Sequence, residues 1–213
     1  MTADTIDTID ALMARFVAGS LPQPAHVLVQ AHLALKPDNR RFVRGMEALA
    51  GRTLEDMNAV ELSARNDRLA TIFGSHATVQ TPPPGDDGIF PPALRDFLGF
   101  TVDDVPWRTK LPGFKEYDMG DVDGCHVSLY WIRPGRPIPT HTHDGSELTL
   151  VLDGAFTDVT GSYGRGDISV ADESIEHRPL ADLERPCICF AVTDAPLRFT
   201  GTLRQRLSDL IGA

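Results

Sequence analysis

Cysteine is scarce in this chain. None occurs in the first 124 residues, and the three present are Cys125, Cys187 and Cys189. So sparse a set builds no disulfide framework and suits a reducing compartment. Long apolar runs are missing too: stretches such as "CICFAV" at 187–192 fall far below the roughly 20 residues of a membrane-spanning helix. The N-terminus, "MTADTIDTID", has neither the basic charges nor the apolar segment of a secretory signal, so a cytoplasmic location is expected. Basic charge is also short, with a formal net charge of −10 over 213 residues. The deficit is uneven: residues 1–80 hold 8 Lys and Arg against 9 Asp and Glu, residues 81–213 hold 12 against 21. Phosphate contacts supply most non-specific nucleic-acid affinity. An acidic surface of this kind argues against direct DNA binding, and any link to transcription is expected to run through another protein. No catalytic triad, phosphate-binding loop or nucleic-acid motif is found.

What is present divides into two halves. With 42% hydrophobic residues the chain can bury an ordinary core. The first 75 residues read as helical. "TIDALMARFVAGSLP" sets Ile9, Leu12, Met13, Phe16 and Val17 on one helical face before Gly19 and Pro22. "HVLVQAHLALK" forms a second helix closed by Pro37, and "DNRRFVRGMEALAG" a third, capped by Asp38 or Asn39 and ending at Gly51. A fourth is expected from about Leu54 to Phe73. Residues 74–92, rich in proline and glycine, read as a linker or an arm lying over a surface. Beyond them the period becomes alternating: "HVSLYWI", "ELTLVLDGAFTDV", "DISVA" and "CICFAVTDAPLRFTG" are expected strands. Many short strands with glycine-rich corners argue for a barrel or sandwich of the jelly-roll kind. "LRQRLSDLIG" at 203–212 closes the chain as an expected helix.

The chemistry concentrates in "GRPIPTHTHDGSELTLVLDG" at 135–154. Alternate residues of a strand share a face, so His141 and His143 point the same way, ~7 Å apart at their Cα atoms. Glu147 opens the next strand after a local turn, and His177 is a fourth candidate at the end of a later strand pair. Imidazole and carboxylate together suit zinc, iron(II), manganese, copper or nickel. Four such ligands close a tetrahedral zinc site but leave a six-coordinate metal open. A lone His-x-His is more often a pair of surface histidines. The agreeing glycines, glutamate and later histidine favour the metal.

The spacing G-x5-H-x-H-x3-E-x6-G, from Gly135 to Gly154, resembles the first motif of the cupin superfamily at every defined position. The second motif is matched in part, by Gly166 and His177, without its internal proline and glycine. The resemblance implies a small β-barrel holding a divalent metal on His141, His143, Glu147 and His177, zinc first, with iron(II), manganese or nickel as alternatives. Barrel pairing into a homodimer is common in that superfamily.

"ALMARFVAGSLPQPAHVLVQAHLAL" is similar to the N-terminal domain of the ChrR-type anti-sigma factors. The fold class implied is α+β and multidomain: a four-helix anti-sigma-like domain at 1–75, a linker at 76–92, and a cupin barrel with a C-terminal helix at 93–213. The family implies a transcriptional regulator whose helices clasp an extracytoplasmic-function-type sigma factor and whose cupin senses stress or a ligand. Its helical zinc motif, His-x3-Cys-x2-Cys with an earlier histidine, is degenerate here. The match begins at His32 but continues as Lys36 and Asn39, and the earlier position falls near Asp7. That zinc site is expected to be absent, with His32 capping or packing a helix end. Structural zinc contributes ~10 kcal/mol or more in small domains. An apolar stripe of Leu12, Phe16, Val27, Leu28, Leu33, Leu35, Phe42 and Leu49 is the expected compensation.

Other residues fit blander roles. Cys187 and Cys189 read as apolar filling of a buried strand before a redox sensor. Cys125 and His126 read as packing, the cluster Arg40, Arg41 and Arg44 as a solvated face. Trp107, Phe114, Tyr130 and Trp131 are expected core or pocket wall. Glu173 or Glu176 is a candidate acceptor for a ligand histidine. Two alternatives stay beside the regulator: a cupin metalloenzyme such as an iron(II) dioxygenase, and a non-catalytic ligand-binding cupin that no longer binds sigma.

Overall fold

The structure, a computed structural model, describes residues 8–75, 88–195 and 197–200. The expected C-terminal helix at 203–212, most of the expected linker and Asp7 lie outside the described residues. Helix α1 (Ile9–Val17) starts where the Thr8 side chain accepts from the Ala11 amide, and α2 (Gln23–Leu35) stops just before Pro37. A proline cannot continue a helix, so the second boundary follows from sequence.

The third helix departs from expectation. Helix α3 (Arg40–Glu55) runs through Gly51, where no neighbour crowds the open side, and reaches into the region assigned to a fourth helix. An interior glycine weakens a helix by about 1 kcal/mol without stopping it. Asn39 precedes α3, but its amide turns to His32 and makes no cap bond. Helix α4 is correspondingly shorter (Arg65–Gly74); the intervening "DMNAVELSA" carries Asp, Asn and Ser, which compete with helical backbone bonds. A fifth helix, α5 (Pro92–Leu98), lies where the sequence placed the start of the barrel, and Phe90 just before it is buried. Residues 8–75 thus hold the four expected α-helices, and α5 is a further helix ahead of the strands.

The strands are β1 (Arg108–Leu111), β2 (Phe114–Val122), β3 (Cys125–Ile132), β4 (His141–His143), β5 (Glu147–Asp153), β6 (Ala155–Thr157), β7 (Ser162–Gly164), β8 (Ile168–Ala171), β9 (Leu180–Ala181), β10 (Cys187–Thr193) and β11 (Leu197–Phe199). They form an antiparallel sheet in the order β1-β2-β3-β10-β5-β8, with two smaller sheets, β7-β6-β9 and β11-β4. The sequence missed β1 and β2, whose side chains are mostly exposed or half-buried and polar, so no apolar alternation marks them.

Six of the seven residues in each of β5 and β10 are buried, on both faces of the strand. Leu148, Leu150 and Leu152 of β5, with Ile188, Phe190 and Val192 of β10, pack in one cluster with Leu12, Met13, Leu28 and Val29 from α1 and α2 and Leu94 from α5. The intervening Val151, Cys187 and Cys189 pack on the opposite face with Ile132 and Phe156. Helices cover the outside of β5 and β10, so these strands are buried on both faces, which accounts for their largely apolar sequences.

The expected stripe is correspondingly split. Leu12, Val27 and Leu28 are buried and Phe16, Leu33 and Leu35 pack partly against the core, but Phe42 and Leu49 are exposed by 41% and 58%. Arg40, Arg41 and Arg44 are solvated, as expected.

The glycines that frame the motif, Gly135 and Gly154, both adopt positive φ (67° and 70°). A Cβ at Gly154 would also run into the Pro186 carbonyl oxygen and come 3.0 Å from Cys187 Cα, neither of which is a flexible side chain. Gly154→Ala is expected to cost about 2 kcal/mol, from strain and overlap together. That corresponds to a fall of roughly 5 °C in Tm for a chain of this size. Gly45→Ala, inside α3 with open space around it, should raise stability by up to about 1 kcal/mol. Thermal unfolding of both variants checks the contrast.

Candidate metal centre

Three separate segments bring the predicted residues together. His141 and His143 are the ends of β4, with side chains on one face as alternation requires. Glu147 is the first residue of β5. His177 is held against His141 by two backbone bonds, His141 N to His177 O and His177 N to His141 O, each 3.0 Å. All four side chains are buried, and each offers a ligand atom within 4.8 Å of the others. Among the described residues this is the one His/Cys/Asp/Glu group so arranged.

The surroundings set the tautomers. A carbonyl oxygen can only accept, so His141 Nδ1 donates to Pro139 O at 2.7 Å, leaving Nε2 with its lone pair. His177 Nδ1 donates to Asp158 Oδ2 at 2.8 Å and likewise frees Nε2. His143 Nε2 then faces His177 Nε2 at 3.1 Å, with Glu147 Oε2 3.2 Å and 3.9 Å from them. Acceptors meeting at this range in a dry site repel unless a proton or a cation stands between them. The donor set therefore fits a divalent metal, and Pro139 and Asp158 supply hydrogen bonds that aim the two imidazoles.

Asp158 is the residue that sequence reasoning missed. Glu173 and Glu176, the expected acceptors, are exposed, and Glu173 contributes only its backbone oxygen, to Thr142 Oγ1. Asp158 is 19 residues from His177, on the turn after β6, and only the fold joins them. Its carboxylate also accepts from Thr160 N and Oγ1. Burial raises its pKa, but the bonds from Thr160 and His177 outweigh that and hold it below the usual value.

Burial dominates the other titrations. It pushes His141 down to about 3 and His143 down to about 4, each with help from His177. It pushes the Glu147 carboxyl up to about 7, against a hydrogen bond with Thr149. The two imidazoles are thus ready to bind a cation near neutrality, whereas the carboxyl holds a proton that a cation would displace.

A cavity of about 550 Å³ adjoins the cluster, lined by His141, Glu147 and His177 at one end and by Leu111, Phe114, Tyr130, Ile138 and Phe156 elsewhere. Phe114 and Tyr130 are thus pocket wall, while Trp107 and Trp131 pack on the core. Cys189 also touches this cavity, its sulfur 3.5 Å from that of Cys187. Its hydrogen bond to Cys187 and its burial hold the Cys189 thiol well above the ordinary value. A thiol without thiolate character is a poor redox sensor, which favours the packing role. Cys125 is buried, and His126 lies 3.3 Å from both Asp118 and Asp121.

Two measurements check the site. Protein purified without added metal is expected to carry about one divalent ion per chain, and His141→Ala or His177→Ala should remove it, by elemental analysis. Metal uptake at pH 6 should release about one proton, falling toward none above pH 8, because a cation binds only ionised Glu147. Affinity therefore drops as pH falls below about 7. Calorimetry in buffers of different ionisation enthalpy reads this, and Glu147→Gln should abolish the release.

Comparison with known proteins agrees with this arrangement. The profile of the ChrR cupin-like domain matches residues 97–196. Anti-sigma-E factor ChrR of Cereibacter sphaeroides is 38% identical over 197 residues, covering 91% of this chain and 92% of that protein. The crystal structure of Rhodobacter sphaeroides SigE in complex with the anti-sigma ChrR aligns at a TM-score of 0.74 and 35% identity, covering 88% of this chain and 97% of that chain. With its helices packed on a cupin sandwich and the four ligand-type residues in one buried cluster, the chain belongs to the ChrR family of anti-sigma factors.

Proposed function

We propose that this chain restrains an alternative sigma factor of the extracytoplasmic-function type, with residues 1–75 as the sigma-binding part, 76–92 as the linker and residues 93–213 as a metal-dependent sensor. One observation carries the partner half of this reading. From Ala50 to Ser75 no side chain is buried, yet this arm presents Leu54, Met57, Val60, Leu62, Ile72 and Phe73, the last 83% exposed. With Phe42 and Leu49 these make an apolar surface of a kind that soluble chains keep for a partner. Similarity over nine-tenths of the chain to an anti-sigma factor, and to one crystallised with its sigma factor, supports a sigma factor as that partner.

The sensor half rests on the buried cluster. His141, His143, Glu147 and His177 are the ligands in this reading, and three imidazoles with one carboxylate suit zinc in a four-coordinate site. Bound zinc would supply a fixed charge and geometry without redox chemistry. The adjoining cavity gives a small apolar signal molecule access to the ligand residues. No helix among the described residues is long and apolar enough to cross a membrane, which accords with a cytoplasmic site of action. The net charge of −10 accords with control through a protein rather than through DNA.

Co-expression with each such sigma factor from the same genome tests the reading. A one-to-one complex on size exclusion is expected with at least one of them. Leu54→Glu and Phe73→Glu, both at exposed positions, should weaken it by about tenfold or more while leaving Tm unchanged. Binding to none of them would sink the proposal. Zinc without turnover separates this reading from an iron(II) dioxygenase.

A further inference from the structure

The family resemblance places a second zinc in the helical half, on positions occupied here by His32, Lys36 and Asn39. These residues do not fit a metal. His32 sits on the last turn of α2 with 2% of its surface exposed. Its Nδ1 lies 2.6 Å from the carbonyl oxygen of Gly166 and so donates to it, while its Nε2 accepts from the Asn39 amide at 2.8 Å. Both ring nitrogens are occupied and neither keeps a lone pair for a cation. Lys36 brings a positive charge, and its Nζ donates to Asp167 Oδ1 at 2.5 Å.

All these bonds converge on the turn between β7 and β8. Gly166 has φ +87°, and a Cβ there would stand 2.8 Å from Lys36 Cγ and 2.9 Å from Leu35 Cβ. The turn thus approaches α2 more closely than any other residue would allow. It is also tied to the barrel: Gly166 N donates to Val151 O at 2.7 Å and Val151 N to Asp167 O at 3.0 Å. The second oxygen of Asp167 accepts from Gly164 N, the last residue of β7. At the other end of β7 is the turn that carries Asp158, whose carboxylate aims His177. A strand of three residues therefore separates the turn that aims His177 from the turn that grips α2.

We infer that His32, Lys36 and Asn39 form a metal-free latch in the place of the family's helical zinc site, fastening the end of α2 to the Gly166–Asp167 turn, and that through β7 this latch passes the state of the metal centre to the helices. The second half rests on the sensor reading above, but neither half requires that sigma be bound. The link is a physical one, an unbroken series of bonded groups from His177 to Lys36, and coupling along it is what needs measuring.

Amide hydrogen exchange on the full chain, without any sigma factor, makes the test. His32→Ala should keep the metal content of the wild type and speed exchange in the last turn of α2 by about tenfold, since it leaves a buried carbonyl unpaired. Lys36→Ala should speed it only about two- to fivefold, because this ion pair is partly exposed. Combining Lys36→Asp with Asp167→Lys should restore most of that protection. Removing the metal from the wild type should speed exchange in β7 and the last turn of α2 with β10 unchanged, and Asp167→Asn should remove this response at α2 alone. Loss of a metal ion in His32→Ala would overturn the latch as metal-free. Equal α2 exchange in loaded and stripped protein, or a change spread evenly over β10, would overturn the coupling. A failure to bind sigma would leave these results standing, so the two proposals fall separately.

Discussion

A strand covered on both faces has to satisfy two environments with one alternating sequence, and β5 and β10 do this for the whole molecule. One set of side chains, from Leu148 to Leu152 and from Ile188 to Val192, meets α1, α2 and α5. The other set, with Glu147 at its head and Val151 and Cys189 along it, faces the cavity and the metal cluster. A register slip of one residue would put leucines into the metal site and a carboxylate under the helices. The helices are therefore more than an appendage, because they cover the outer face whose burial fixes which side chains point inward.

That geometry gathers four polar groups into a place where water is scarce, at an electrostatic cost that the outer bonds direct. Pro139 and Asp158 decide which nitrogen of His141 and His177 keeps its lone pair. The paired backbone bonds between His141 and His177 fix the distance between the two segments that carry them. Because burial disfavours every charged form, both imidazoles shift down and the carboxyl shifts up. A cation reverses that balance at one stroke, being the one species that all four groups stabilise. The site is thus strained by its own burial in a way that favours metal.

Much of this was legible in the sequence, and the rest was hidden for identifiable reasons. The clustering of His141, His143 and Glu147 was readable because a motif of fixed spacing on one strand and the next forces its side chains to one face. Helices α1 and α2 were readable because Gly19, Pro22 and Pro37 punctuate an apolar stripe. Asp158 and the partner of His32 were invisible, since each contact spans a distance in sequence that no local pattern encodes: 19 residues in one case and 134 in the other. The end of α3 was misplaced because an interior glycine in open space is tolerated where a stop was expected. Phe42 and Leu49 share the hydrophobic spacing of core residues, and periodicity alone does not tell a core face from a docking face.

The split of that apolar stripe bears on how a helical half can hold a partner without its zinc. Leu12, Met13, Leu28 and Val29 are committed to the sheet, and the latch at Gly166 and Asp167 secures the end of α2 beside them. The end of α3 and all of α4 bury nothing. Burial and exposure therefore fall on different segments: α1 and α2 lean on the barrel, while the end of α3 and all of α4 keep their apolar side chains in the open. Where the barrel provides this support, the helical half needs no metal of its own to hold it in place. The same dependence implies that a change in the barrel is felt at α2 before it is felt anywhere on the exposed arm.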